Sequence, residues 1–145
     1  MISSRIPAGT IAPASLEGFD AVVHLAGETV AGRWTAAKKA EILRSRAGGT
    51  RLLSDTLAQL QHPPAVLLSA SAIGFYGDCG DKVVTEADAA GSLFLSEVSK
   101  AWELATEPAA RGGIRVVNLR IGFVLSAAGG GLRRMLLPLI STFLY

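Results

Sequence analysis

Apolar residues along the chain fall into short runs, separated by longer stretches in which they return every three or four positions. The runs are DAVVHLA at 20–26, AVLL from Ala65 leading into the hydroxyls of Ser69 and Ser71, and IRVVNLRIGFV at 114–124. Segments of this length, rich in Val, Ile and Leu, have the pattern of strands buried on both faces of a parallel sheet. Between the first two runs Thr35 offers a helix N-cap, and Ile42, Leu43, Leu52, Leu53, Leu57 and Leu60 recur at roughly helical spacing through Gln61. Gly48-Gly49 interrupts that pattern at about 1 kcal/mol per glycine, which predicts two helices meeting at an angle. Between the second and third runs Leu93, Phe94, Val98, Ala101, Trp102 and Ala105 mark one face of a helix from Ser92 to Thr106, which Pro108 disturbs and Gly112-Gly113 stops. Residues 1–18 and 72–91 read as loops. The second exceeds the about 12 to 15 residues beyond which structureless connections are uncommon unless functional.

Strand, helix, strand, helix, strand with crossovers of this size predicts an α/β fold: a partial Rossmann-like, doubly wound parallel sheet with flanking helices. Residues 1–145 read as one incomplete domain, with no internal repeat. Ligands of open parallel sheets bind outside the carboxyl ends of the strands. That edge presents His24-Leu25-Ala26-Gly27, Ser69-Ala70-Ser71 and Arg120-Ile121-Gly122. Small residues there let a flat ligand approach the backbone, and the hydroxyls and Arg120 supply fixed polar contacts. Each alone is also an ordinary strand terminus; their recurrence at one edge makes the group a candidate site. Lys100, on the helix after that edge, suits ribose hydroxyls and the lowering of a neighbour's pKa, or is a solvated helix lysine. Ser126 to Arg134, SAAGGGLRR, sets three glycines before a helix start at Leu132 with two arginines in its first turn, a pattern for a phosphate or for a hinge.

Composition narrows the classes. Half of the 145 residues are apolar, enough for a sizeable core. Fourteen Lys and Arg against twelve Asp and Glu leave +2, with the basic residues scattered, so nucleic acid is not indicated. No window reaches the about 18 uninterrupted apolar residues of a membrane span, and the amino terminus lacks a signal-peptide core. The single cysteine, Cys79, excludes an internal disulfide and suits a reducing, cytoplasmic setting. His24 and His62 lack partners at ligand spacing, so no metal site is expected. Asp78, Asp81, Glu86 and Asp88 lack the spacing of a calcium loop and read as solvated. Trp34 and Trp102 read as packing residues.

Five blocks in order carry a family resemblance: HLAGE at 24–28, RWTAAKKAEILRSRAGGTRLL at 33–53, SASAIGFYGD at 69–78, FLSEVSKAWE at 94–103 and VVNLRIGFVLSAAGGGLRRMLLP at 116–138. Together, over about residues 18–138, they resemble the nucleoside-diphosphate-sugar epimerase-like family of extended, atypical short-chain dehydrogenases/reductases. The resemblance implies a Rossmann fold that binds NAD or NADP. It implies cofactor contacts from Leu25, Ala26, Gly27, Ser69, Ala70, Lys100, Arg120, Ile121 and Gly122, with Ala26-Gly27 on the adenine side and Lys100 on the nicotinamide ribose. It makes Ser71 the hydroxyl that orients substrate, and turns the 126–134 loop, with Gly130, Gly131, Arg133 and Arg134, toward it.

Two departures matter. Residues 1–20 contain no GxxGxxG, so the phosphate-binding turn and the residues that choose NAD from NADP are not in this sequence. The chain therefore reads as a central fragment, with an exposed strand edge that predicts self-association. Second, the superfamily's acid/base tyrosine, four residues before the lysine, is here Ser96. A serine hydroxyl is too weak an acid to replace a phenol directly. Tyr76 is the alternative, or is a packing residue of its loop. The expected function is that of an NAD(P)-dependent epimerase or oxidoreductase acting on a nucleotide-linked sugar or similar polyhydroxylated small molecule, with Ser71, Tyr76 and Lys100 as catalytic candidates. The alternatives are a non-catalytic dinucleotide sensor or scaffold, and a truncated product without function.

Overall fold

The computed structural model describes residues 10–126 together with Leu132 and Leu136. Three parallel strands, β1 (Ala21–His24), β2 (Val66–Ala72) and β3 (Arg115–Ile121), lie in the spatial order β1-β2-β3. The first crossover contains α1 (Ala36–Leu43), a π-helical stretch (Arg44–Gly48) and α2 (Gly49–Leu57); the second contains α3 (Phe94–Leu104) and α4 (Glu107–Arg111). The expected α/β class, with parallel strands and flanking helices, is what forms.

Register explains where the core sits. Val22, Leu67 and Val116 are cross-strand partners and so share one face of the sheet. Against that row pack Leu53, Leu57 and Leu60 from the first crossover and Ala109 and Ile114 from the second. α2 and α4 therefore cover the same face, as right-handed crossovers require when the strands follow one another in sequence order. The next row, Val23, Leu68 and Val117, points the other way, and Val23 is 61% exposed.

Several boundaries differ from expectation for local reasons. Thr35 caps α1 as read, its hydroxyl accepting from the Lys38 N–H at 3.2 Å. The Gly48-Gly49 pair does not break the helix: Gly48 and Gly49 keep right-handed helical angles, and the discontinuity is taken up as the π-helical stretch. Pro108 does not merely end a helix; it lies in the first turn of α4, where its missing N–H has no helical acceptor to lose. β3 ends at Ile121, short of Val124, because its partner β2 ends at Ala72, the residue opposite.

The long loop after β2 is tied at its base. It opens with a 3-10 turn at Ile73–Tyr76. The Gly91 N–H then donates to the Phe75 carbonyl at 2.9 Å, and the Ser96 hydroxyl to the Gly74 carbonyl at 2.9 Å. Within it Asp88 is half-buried rather than fully solvated. Lys82 and the Thr85 N–H and hydroxyl all donate to its carboxylate and pull its pKa down to about 2.

Candidate active site at the carboxyl edge of the sheet

Ser71 and Arg120 are cross-strand partners at the carboxyl ends of β2 and β3, so parallel register alone brings them together. Both belong to the helix-covered face, and there they meet Glu103 from the last turn of α3. The Ser71 hydroxyl lies 2.6 Å from Glu103 Oε1. Arg120 grips the same carboxylate with both edges of its fork, Nε to Oε1 at 2.9 Å and Nη2 to Oε2 at 3.0 Å. Its third nitrogen, Nη1, donates to the Tyr76 hydroxyl at 2.8 Å, and its plane lies 3.5 Å from the centre of the Phe75 ring. Bidentate geometry and ring stacking are what distinguish arginine from lysine at such a position.

Electrostatics favour the charged forms. Burial pushes the Glu103 carboxyl up, but the hydrogen bonds from Arg120 and Ser71 and the Arg120 charge outweigh it and leave the group below the ordinary carboxylate range. Arg120 is shifted upward, chiefly by its hydrogen bond to Glu103.

Of the three catalytic candidates, Ser71 and Tyr76 are thus joined through Glu103 and Arg120. Lys100 stands apart from that network and pairs with Glu97 one turn away. It does share a helical stripe with it: Ser96, Lys100 and Glu103 are spaced four and three residues apart on α3, and the first and last contact Gly74 and Ser71. Ser96, at the position where an acid/base tyrosine is expected, is fully buried and its hydroxyl is spent on Gly74.

The cofactor candidates divide. Leu25, Ala26, Gly27 and Gly122 are exposed beyond the strand ends, and Ile121 is exposed as the last residue of β3. Ser69 and Ala70 are buried within β2, Ser69 in the row of His24, whose ring contacts Thr50 at 2.9 Å. Among the described residues a Cβ at Gly122 would meet nothing nearer than Ile73 Cδ1 at 3.9 Å, which leaves the backbone there open on the described side. At Gly27 it would come within 3.1 Å of Arg46 Cζ. The missing side chain at Gly27 accommodates that guanidinium, which also donates to the Glu28 carbonyl at 2.8 Å and lies 5.0 Å from the Trp102 ring. Gly130, Gly131, Arg133 and Arg134 lie outside the described residues. Among the described residues no His, Cys, Asp or Glu group could hold a metal, and no helix is long and apolar enough to cross a membrane.

Glu103 and Arg46 are the site residues that sequence reasoning passed over. Glu103 follows Trp102 on a half-buried helix and reads as a surface acid. The available signal was its spacing from Ser96 and Lys100 on one stripe.

Comparison with known proteins identifies the family. The sequence model of the NAD dependent epimerase/dehydratase family matches residues 9–144. The chain is 46% identical over 128 residues to an epimerase family protein of Mycobacterium bovis, covering 88% of this chain and 42% of that protein. Among solved structures it resembles a nucleoside-diphosphate sugar epimerase from Corynebacterium glutamicum, with 41% identity, a TM-score of 0.72, and coverage of 90% of this chain and 26% of that one. It also resembles the human epimerase family protein SDR39U1 crystallised with NADPH, with 30% identity, a TM-score of 0.78, and coverage of 93% and 49%. The chain thus spans less than half the length of each of these proteins.

Proposed function

Because the chain belongs to the NAD dependent epimerase/dehydratase family, we propose that it forms the central part of an NAD(P)-dependent epimerase or oxidoreductase acting on a nucleoside-diphosphate sugar. The observation that carries this reading is the joining of Ser71, Tyr76 and Arg120 through Glu103 beside an open glycine edge at Gly122. The protein crystallised with NADPH and the nucleoside-diphosphate sugar epimerase, both similar to this chain, support the choice of cofactor and substrate class. The protein is expected to work in the cytoplasm.

The residues present suit a dinucleotide at its nicotinamide end. Gly122 and Ile121 offer open backbone, and Lys100, on the helix beside the β2 end, would leave Glu97 to hold the ribose hydroxyls. A nicotinamide held there would supply the capacity to accept a hydride from a sugar carbon and return it. Ser71 holds the reacting oxygen in place. Tyr76 supplies the exchangeable proton: Arg120 has no acceptor, so the phenol oxygen accepts from it and keeps its own O–H for the substrate. Arg120 holds Tyr76, not the substrate. Gly130, Gly131, Arg133 and Arg134 are proposed to contact the substrate.

The test is fluorescence titration of NADH and NADPH with this chain and with a version extended at both ends to the length of its relatives, followed by turnover of UDP-glucose. Lys100→Ala should weaken cofactor binding about 10- to 100-fold, the loss of a charged hydrogen bond. Tyr76→Phe should lower kcat about 100- to 10,000-fold with little change in cofactor affinity. Absence of cofactor binding in both forms would defeat the proposal. A second reading, a non-catalytic dinucleotide sensor, is favoured by one observation: Ser96 is locked onto Gly74 where the superfamily places its acid. Tight NADPH binding without turnover of any nucleotide sugar would select it.

A further inference from the structure

We infer that Glu103 is a positioning residue that takes the hydroxyl proton of Ser71, so that Ser71 holds its substrate by accepting from an alcohol O–H rather than by donating to a carbonyl oxygen. The inference rests on the proposed substrate site and adds a polarity to it.

An ionised carboxylate only accepts hydrogen bonds, and a serine hydroxyl has one proton to give. With Ser71 Oγ 2.6 Å from Glu103 Oε1, that proton lies between them. Glu103 stays ionised because Arg120 grips both its oxygens and the Ser71 hydroxyl donates to it, against a burial that acts the other way. The charged group facing this carboxylate is thus Arg120 from β3; Lys100, one turn back on the same helix, pairs with Glu97 instead. What Ser71 has left to offer is lone pairs. Tyr76 has the opposite character, since its oxygen accepts from Arg120 and its proton is free to point elsewhere. The site therefore presents one acceptor and one donor, both directions set by the Glu103–Arg120 pair, and an acceptor at Ser71 discriminates between an alcohol and the ketone formed from it.

Removing the carboxylate reverses this. In Glu103→Ala neither Oε1 nor Oε2 is left to accept the Ser71 proton, and the hydroxyl regains it for a ligand. Calorimetry of the full chain with UDP-glucose and with its 4-keto counterpart, in the absence of cofactor so that neither reacts, reads the difference. The wild type should bind the alcohol about tenfold or more tightly over the ketone, the worth of one hydrogen bond left unmade. That preference should vanish in Glu103→Ala and in Ser71→Ala, and return in part in Glu103→Asp. In parallel, 13C NMR titration of the Glu103 carboxyl should show its midpoint rising in Ser71→Ala, as the loss of a donated hydrogen bond requires. This reading does not depend on any ligand, and a folded spectrum confirms that the variant is intact. Retention of the alcohol preference in Glu103→Ala, or an unchanged Glu103 midpoint in Ser71→Ala, would overturn the positioning role. Failure of the wild type to bind either sugar, with the midpoint shift intact, would instead overturn the nucleotide-sugar reading and with it the alcohol substrate.

Discussion

Glycine positions that look alike in the sequence have opposite physical demands. A Cβ at Gly91 would fall 2.5 Å from the Tyr76 carbonyl oxygen and 3.0 Å from Gly77 Cα, backbone atoms that cannot swing aside. At Gly122 the nearest atom among the described residues is 3.9 Å away. Gly91→Ala should therefore lose about 1 to 3 kcal/mol of stability, the cost of forcing an extra methyl into a packed site. Gly122→Ala should melt like the wild type but weaken NADPH binding. Thermal melts of the two variants beside one NADPH titration check the contrast, and equal loss of stability would contradict it. His24 makes a second residue-level claim. Burial lowers its pKa from the ordinary 6.5, and no carboxylate opposes this. The unfolded chain then binds a proton near neutrality that the folded chain refuses. Stability is complete above pH 6.5 and falls as pH drops below it, until the folded pKa is reached. Melts between pH 8 and 5 should show this slope, and His24→Asn should flatten it. Ser71, Tyr76 and Arg120, which the structure brings together, were legible as candidates because strand ends and turn residues mark themselves. Glu103 was not, because its partner Arg120 is 17 positions away and only the fold makes them neighbours.

At the level of elements, periodicity carried most of the information. The leucines of the first crossover point to one face because they recur at helical spacing, and Leu53, Leu57 and Leu60 do meet Leu67 in the core. Leu57 is fully buried. Leu57→Ala should cost about 2 to 5 kcal/mol, the removal of buried methyls plus the cavity left behind, and Leu43→Ala, from an exposed position, far less. Chemical denaturation of the two variants separates a core helix from a merely amphipathic one. Hydrophobic pattern did not reveal the π-helical stretch at Arg44–Gly48, since a glycine pair signals weak helix without saying how the chain resolves it. The extra residue in that turn matters to the site, because Arg46 sits within it and fills the space over Gly27. Gly27 thus has a neighbour within the protein, the Arg46 guanidinium, in addition to its place at the strand end.

The whole molecule shows an asymmetry that no single element contains. Sequential strand order with right-handed crossovers stacks α2 and α4 on one face of the sheet, and the row bearing Val23, Leu68 and Val117 faces away from them. Val23 is 61% exposed and Leu25 64%, and within the described sheet β1 pairs only with β2, leaving its other edge unpaired. An apolar face beside an open parallel edge is a template for another chain, whether a further strand of a longer polypeptide or a second copy. Self-association of the 145-residue chain should therefore depend on concentration and pass through β1. Val23→Lys places a charge on that face without touching Val22, which packs toward the core, so it should shift the population toward monomer while the melting transition stays close to that of the wild type. Light scattering behind a sizing column, run over a range of loading concentrations, measures the change. A wild-type chain that stays monomeric throughout would mean that the face is covered from within the chain itself, and that β1 is not where this sheet seeks a neighbour.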